Sequence, residues 1–283
     1  MKLPISNVLT GLPVKNLSGK KSAEANQKLR GWNTWLAVLY ALEGLAILFL
    51  SNGNAGSTPV VADYLTKDTL ASEVAGQTVL APAAHLLFNL NIAYIVAAFL
   101  FVAAVIRALA ATRLRPHYEK DIKSGVNCLR WMEGGVAGGL MLVALGLASG
   151  MHNLTDLVML FALIAAAFVA VATIVRADML SAGKFSLPYR TLAGLVALLP
   201  FLVVLWHLIA ANLFGSGSIS PYVYAAFAVT LVLFALNAAA QGMQQAKHGA
   251  KVDRYHSEKL YLVLSFADKT LLAWLLFVGV LAG

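Results

Sequence analysis

The residues of this chain best placed to do chemistry are an amine and a carboxylate set inside apolar helices. Lys269 stands near the middle of "LYLVLSFADKTLLAWLLFVGVLAG" (260–283), with Asp268 beside it, in a run otherwise apolar enough to cross a bilayer. A charge at the bilayer centre costs at least ~2.5–3.5 kcal/mol, so it needs a partner and marks a functional position. Glu133 lies ten residues after Lys123, as Lys269 lies ten residues after Lys259. At 1.5 Å per residue both sit ~15 Å below a basic border, on different helices at one depth. Tyr40, ten residues after Arg30, shares that level, and Glu43 lies one turn further out.

Two readings fit the pair. It ties two helices together, or it is reactive. Desolvation offsets much of the attraction in a buried pair, so packing alone seldom calls for one. A desolvated lysine loses its proton readily and becomes a nucleophile, able to form an imine with an aldehyde. The protonated imine then needs a fixed anion, which Glu133 supplies. Ser265, four residues before Lys269, shares its face and reaches either the imine or the counterion, unless its hydroxyl bonds back to the preceding turn. Asp268 is rotated roughly 100° from Lys269 and is a secondary candidate for counterion.

The elements that carry these residues follow from composition. The 283 residues are 60% hydrophobic and 12% charged, with mean hydropathy +0.76, as in polytopic membrane proteins. Runs near twenty apolar residues fall at about 32–51, 79–110, 124–148, 155–176, 188–213, 220–245 and 259–282. The expected fold is an all-α bundle of seven transmembrane helices over 32–283, preceded by a polar tail over 1–31 that does not read as a cleaved signal peptide. The loop 52–78 has turn residues and a short "PVV" run, the mark of a small hairpin. Cys128 is the only cysteine, which excludes an internal disulfide or a cysteine-based metal cluster. His85 and His207 are expected near the outer ends of their helices.

Basic residues alternate by segment. The tail has Lys2, Lys15, Lys20, Lys21, Lys28 and Arg30, whereas the first loop has only Lys67. The segment after span 2 has Arg113, Arg115, Lys120 and Lys123, while "SGMHNLTD" has none. Arg176, Lys184 and Arg190 flank the next connection, "GSGSIS" is bare, and the last carries Lys247, Lys251, Arg254 and Lys259. The positive-inside rule then puts the N-terminus in the cytoplasm and the C-terminus outside, so the +8 net charge points to topology and not to nucleic acid. The halves show no internal repeat of the kind that builds many transporters.

"NCLRWMEGG" (127–135) and "RYHSEKLYLVLSFADKTLLAWLLFVGVL" (254–281) together resemble heliorhodopsin, the inverted microbial rhodopsin family. Supporting stretches are "LRGWNTWLAVLYALEGLAILFLS" (29–51), "AAFLFVAA" (97–104), "RPHYEKDIKSGVN" (115–127) and "PYVYAAFAVTLVLFALN" (221–237). The resemblance implies all-trans retinal on Lys269 as a Schiff base, Glu133 as counterion, Ser265 beside them, a long first extracellular loop and a homodimer. The chain departs from the family where Tyr40, Glu43 and Arg107 replace the usual histidine, glutamine and histidine, and where "GGVAGG" follows the counterion. Arg107 either joins the polar cavity or snorkels to the cytoplasmic border. Glu43 either makes a structural hydrogen bond or handles protons. Gly134, Gly135, Gly138 and Gly139 either allow close helix packing or reshape the chromophore site. Trp206, Phe227, Phe234 and Trp274 are candidates to clamp a polyene, against the alternative of ordinary membrane packing.

Three functions follow as expectations: a light sensor without net transport, a light-driven ion transporter or channel, and a retinal-free scaffold of the same fold. None is an enzyme. A multi-pass protein of a prokaryotic plasma membrane is expected, with lipids around it and a signalling partner or anionic lipid at its basic cytoplasmic side.

Overall fold

The computed structural model describes residues 19–51, 56–124, 127–180, 187–215, 219–246 and 254–281. Residues 1–18 of the expected tail, and Lys184, Lys247 and Lys251 of the basic connections, lie outside them. Helix α1 (Gly19–Leu50) begins well before the expected Trp32. Its spacing explains why: Asn26, Leu29, Asn33, Leu36, Tyr40 and Ile47 are all buried and recur at three-, four- and seven-residue intervals. One face therefore packs inward along the whole helix.

The apolar run at 79–110 is not one helix. Its first part is strand β2 (Leu80–Asn91), antiparallel to β1 (Ser57–Lys67), and only the rest is helix α3 (Ile92–Ala111). Periodicity cannot separate strand from helix in a continuous apolar run. Here Asn91 sets the boundary, its side-chain oxygen accepting from the Ala93 amide at 2.8 Å as an N-cap. His85 consequently lies in a strand, its ring tilted against that of Tyr64 at 5.6 Å, and not in a helix. The hairpin expected within 52–78 thus spans 57–91. Its tip holds a short helix α2 (Thr69–Ala75), capped by Asp68 and closed by Gly76 at φ +64°. The Val61 amide donates to the His152 carbonyl at 2.9 Å and Asn153 donates to Asp63 at 2.7 Å, tying the hairpin to the turn between two later helices.

Beyond the short α4 (Arg115–Ser124) come α5 (Cys128–Ala148), α6 (Leu154–Leu180), α7 (Leu187–Phe214), α8 (Pro221–Ala246) and α9 (Arg254–Leu276), the last followed by a π-helical turn Phe277–Leu281. Among the described residues, seven helices (α1, α3 and α5–α9) are long and apolar enough to span a membrane. Each packs on the next, α9 closes against α1, and α5 also touches α7, α8 and α9, so it occupies the centre. Its glycines permit this. A Cβ at Gly134 would lie 2.1 Å from the Phe168 ring and one at Gly139 2.5 Å from the Phe161 ring, so α6 presses its aromatics into the stripe. Close packing is therefore what two of the four glycines provide.

Orientation is a separate expectation, resting on the basic segments. Ser57→Cys in a Cys128→Ser background should react with a membrane-impermeant maleimide on intact cells, because Ser57 is exposed on the hairpin. Ser18→Cys should react only after permeabilisation, and the opposite pattern would discard the inverted topology.

Candidate functional site

Three faces converge inside the bundle, each built from a regular spacing. Asn127, Arg130 and Glu133 recur every three residues on α5; Glu258, Tyr261, Ser265 and Lys269 recur at three and four on α9; Asn33 and Tyr40 lie seven apart on α1. Each set therefore lines one side of its helix.

Lys269 is 4% exposed and is the only buried lysine among the described residues; Glu133 is fully buried. The Lys269 Nζ lies 3.1 Å from Glu133 Oε1 and donates to Ser265 Oγ at 2.7 Å. Ser265 in turn donates to Glu133 Oε1 at 3.0 Å. The hydroxyl thus bridges amine and carboxylate instead of bonding back to its own helix. The Tyr40 ring lies 6.0 Å from Nζ, at the level its position on α1 suggested.

Arg107 does not snorkel. It is 2% exposed, its Nη2 donates to Glu133 Oε2, and its Nη1 donates to Asn33 Oδ1 at 3.4 Å. A buried guanidinium needs a carboxylate, and the one at hand is the lysine's own partner. Glu43 lies elsewhere, accepting from Thr270 Oγ1 at 3.0 Å and 3.1 Å, one turn from the amine. Asp268 forms no ion pair with Lys269, and its Oδ1 is buried without a hydrogen-bond partner among the described residues.

Beyond Arg107 the polar contacts continue toward α4. Asn33 Nδ2 donates to Tyr118 Oη at 3.1 Å, Tyr118 donates to Glu258 Oε1 at 3.0 Å, and Asn127 donates to the same oxygen at 2.9 Å. Arg130 pairs with Glu258 and stacks over Tyr261 at 4.2 Å. Burial, reinforced by the adjacent Glu258, pushes the Tyr118 phenol far above its ordinary range, so it remains a neutral donor. Sequence reasoning passed over Asn33, Tyr118, Asn127, Glu258 and Tyr261. The three- and four-residue spacing on α5 and α9 was the signal that could have found the last three.

The aromatic candidates divide. Phe227 and Phe234 belong to a cluster with Phe201 and Phe168, at ring separations of 5.0 Å (Phe201–Phe234), 6.4 Å (Phe201–Phe227) and 6.5 Å (Phe168–Phe234). Trp131 joins it at 6.1 Å from Phe168. Trp274 is half-buried, edge-on to Phe277. Trp206 does not join them: it is 61% exposed, because α7 turns Phe201, Val204 and Leu208 inward and position 206 falls on the other side. On the far side of the protein, burial and the neighbouring His207 hold His152 below its ordinary range, so His207 stands close to the turn between α5 and α6.

A buried amine with a carboxylate and a hydroxyl in contact can hold an aldehyde as an imine and stabilise its positive form. Tyr40 fits the same purpose, since its buried hydroxyl is without a partner among the described residues while its ring faces the amine. The family model for heliorhodopsins matches the chain over residues 29–281, nearly its whole length. No curated protein matches it.

Proposed function

Because the chain belongs to the heliorhodopsin family, and so is a retinal-binding rhodopsin and a multi-pass membrane protein, we propose that it is a light sensor that moves no net ions. Retinal, when bound, supplies absorption of visible light and a change of shape. The chain's own residues do the rest. Lys269 holds the retinal as a protonated Schiff base, Glu133 is its counterion, and Ser265 fixes the carboxylate toward it. Phe227, Phe234 and Trp274 contribute to the apolar wall.

One observation carries the sensor reading: among the described residues, the hydrogen bonds that leave the site run to one end only. From Glu133 they pass through Arg107 and Asn33 to Tyr118 of α4. α4 lies among the basic residues that the positive-inside rule assigns to the cytoplasm, and Arg113, His117, Lys120 and Lys123 are exposed there. A shift in how Glu133 is shared thus reaches a surface open to a signalling partner or to anionic lipid. A pump needs groups that give and take protons on both sides. Toward the other end, α5 beyond Glu133 reads "GGVAGGLMLVALGLA", with no ionisable residue.

The transporter reading has one observation in its favour, the Glu43–Thr270 contact one turn outward. Illumination of vesicles in weak buffer decides between them. We expect no sustained pH change, with and without a protonophore. A lasting, protonophore-sensitive signal would replace the sensor with a transporter. A purified protein that stays colourless with retinal would favour the scaffold reading.

We further place the protein in a prokaryotic cell membrane as a homodimer, the family's habit. The exposed Tyr64, Leu65, Leu86 and Phe88 of the hairpin offer apolar area for a second copy.

A further inference from the structure

Glu133 is one carboxylate serving two buried cations. Its Oε1 takes Lys269 and Ser265, and its Oε2 takes Arg107. Arg107 has no other carboxylate in contact among the described residues, since its remaining contacts are the neutral side chains of Asn33 and Tyr261. The helices around the lysine bring few other titratable groups. From α1 come Tyr40 and Glu43, the latter engaged by Thr270. On α5, Arg130 is paired with Glu258 of α9. α9 also bears Tyr261 and Asp268. α8 brings Tyr222, against Gly279 beyond the end of α9, and Tyr224, while α6 has Asp156 and Arg176, exposed near its two ends.

On the reading that Lys269 carries retinal, we infer that Arg107 sets the colour and the pH range of the pigment by drawing the charge of Glu133 away from Nζ. Positive charge at that nitrogen is localised in the ground state and spreads along the polyene on excitation. An anion close to Nζ favours the ground state and widens the energy gap; a second cation on that anion narrows it. The same cation opposes the proton on the nitrogen, because like charges a few ångströms apart disfavour each other's charged forms. Arg107 therefore shifts absorption to longer wavelength and makes the visible form give way to a near-ultraviolet one at lower pH.

The test compares wild type with Arg107→Gln, Arg107→Lys, Asn33→Asp and Asp268→Asn, each purified with all-trans retinal and titrated by absorbance. Arg107→Gln should absorb at shorter wavelength and keep its visible band to a pH about 1–3 units higher. Arg107→Lys should follow wild type, because the charge is retained. Asn33→Asp gives the arginine a carboxylate of its own and should move colour and midpoint in the same direction as Arg107→Gln, with Arg107 still present. It carries the test should Arg107→Gln fail to fold. The apoprotein gives an independent readout. The amine reacts with retinal only when unprotonated, so removing the neighbouring cation should shift the pH profile of colour formation upward.

The inference fails if Arg107→Gln and Asn33→Asp leave both colour and midpoint unchanged, or if Arg107→Lys behaves like Arg107→Gln. It also fails if Asp268→Asn alone moves the midpoint, for then Asp268 is the balancing anion. A wild type that forms no pigment at any pH sinks the lysine reading instead.

Discussion

Lys269→Ala, expressed with all-trans retinal, should give protein with no band above the ultraviolet at any pH, while wild type is coloured. Covalent capture needs a primary amine that can be unprotonated in a site closed to water, and Lys269 alone among the described lysines is buried. The substitution removes one of the two cations on Glu133 and leaves Arg107 to satisfy it. The fold should therefore survive, which gel filtration and helical circular dichroism can verify. An added primary amine such as ethylamine, condensed with retinal beforehand, should restore colour by occupying the emptied space. A Lys269→Ala protein that remains coloured without added amine would end the attachment assignment and leave retinal bound in some other way.

How much of this was legible before any coordinates depended on what each feature needs. Seven spans need only length and apolar character, and among the described residues each expected run holds a helix competent to cross a membrane, although 79–110 also holds β2. The meeting of Lys269 with Glu133 needed only depth, because two charges at one level in a small bundle have few other partners; counting from the basic borders sufficed. The hairpin was half legible. The turn residues of 52–78 announced it, but β2 hides inside an apolar run where strand and helix look alike, and only the Asn91 cap marks the change.

Arg107 shows why the rest was not legible. It stands one turn before the end of α3, near enough to a border for its long side chain to reach water. Whether it turns inward depends on Asn33 from α1 and Glu133 from α5, and no pattern within α3 reports them. Glu258 escapes notice in the sequence for the same reason. Its partners Tyr118, Asn127 and Arg130 come from α4 and from the start of α5, more than a hundred residues earlier. Trp206 is the reverse case. Its residue type suits a polyene, yet the face of α7 on which it lies points away from the site. Helical spacing separates 206 from 201, 204 and 208, so this exclusion was available in the sequence.

Glu133→Gln should have the largest effect after loss of the lysine itself. The substitution keeps the shape and the ability to receive the Ser265 hydroxyl, but it takes away the one negative charge in contact with Lys269. Arg107 stays, so two cations face each other with no anion between them. The proton on the Schiff base loses an attraction and gains an unscreened repulsion, and both act in the same direction. The pH at which the visible band gives way should fall by at least ~1–3 units, the usual effect of one close charge, and more if the repulsion is fully felt. At neutral pH the protein should then absorb mainly in the near ultraviolet and regain its visible band on acidification. Asp268→Asn, titrated in parallel, should leave the midpoint near that of wild type, because Asp268 makes no ion pair with the lysine. A midpoint that moves in Asp268→Asn and stays put in Glu133→Gln would transfer the counterion to Asp268. Combining Glu133→Gln with Arg107→Gln sharpens the assignment. The double variant should recover part of the lost range, since the repelling cation leaves with the carboxylate, and recovery of this kind is expected only if both groups act on the charge at Nζ.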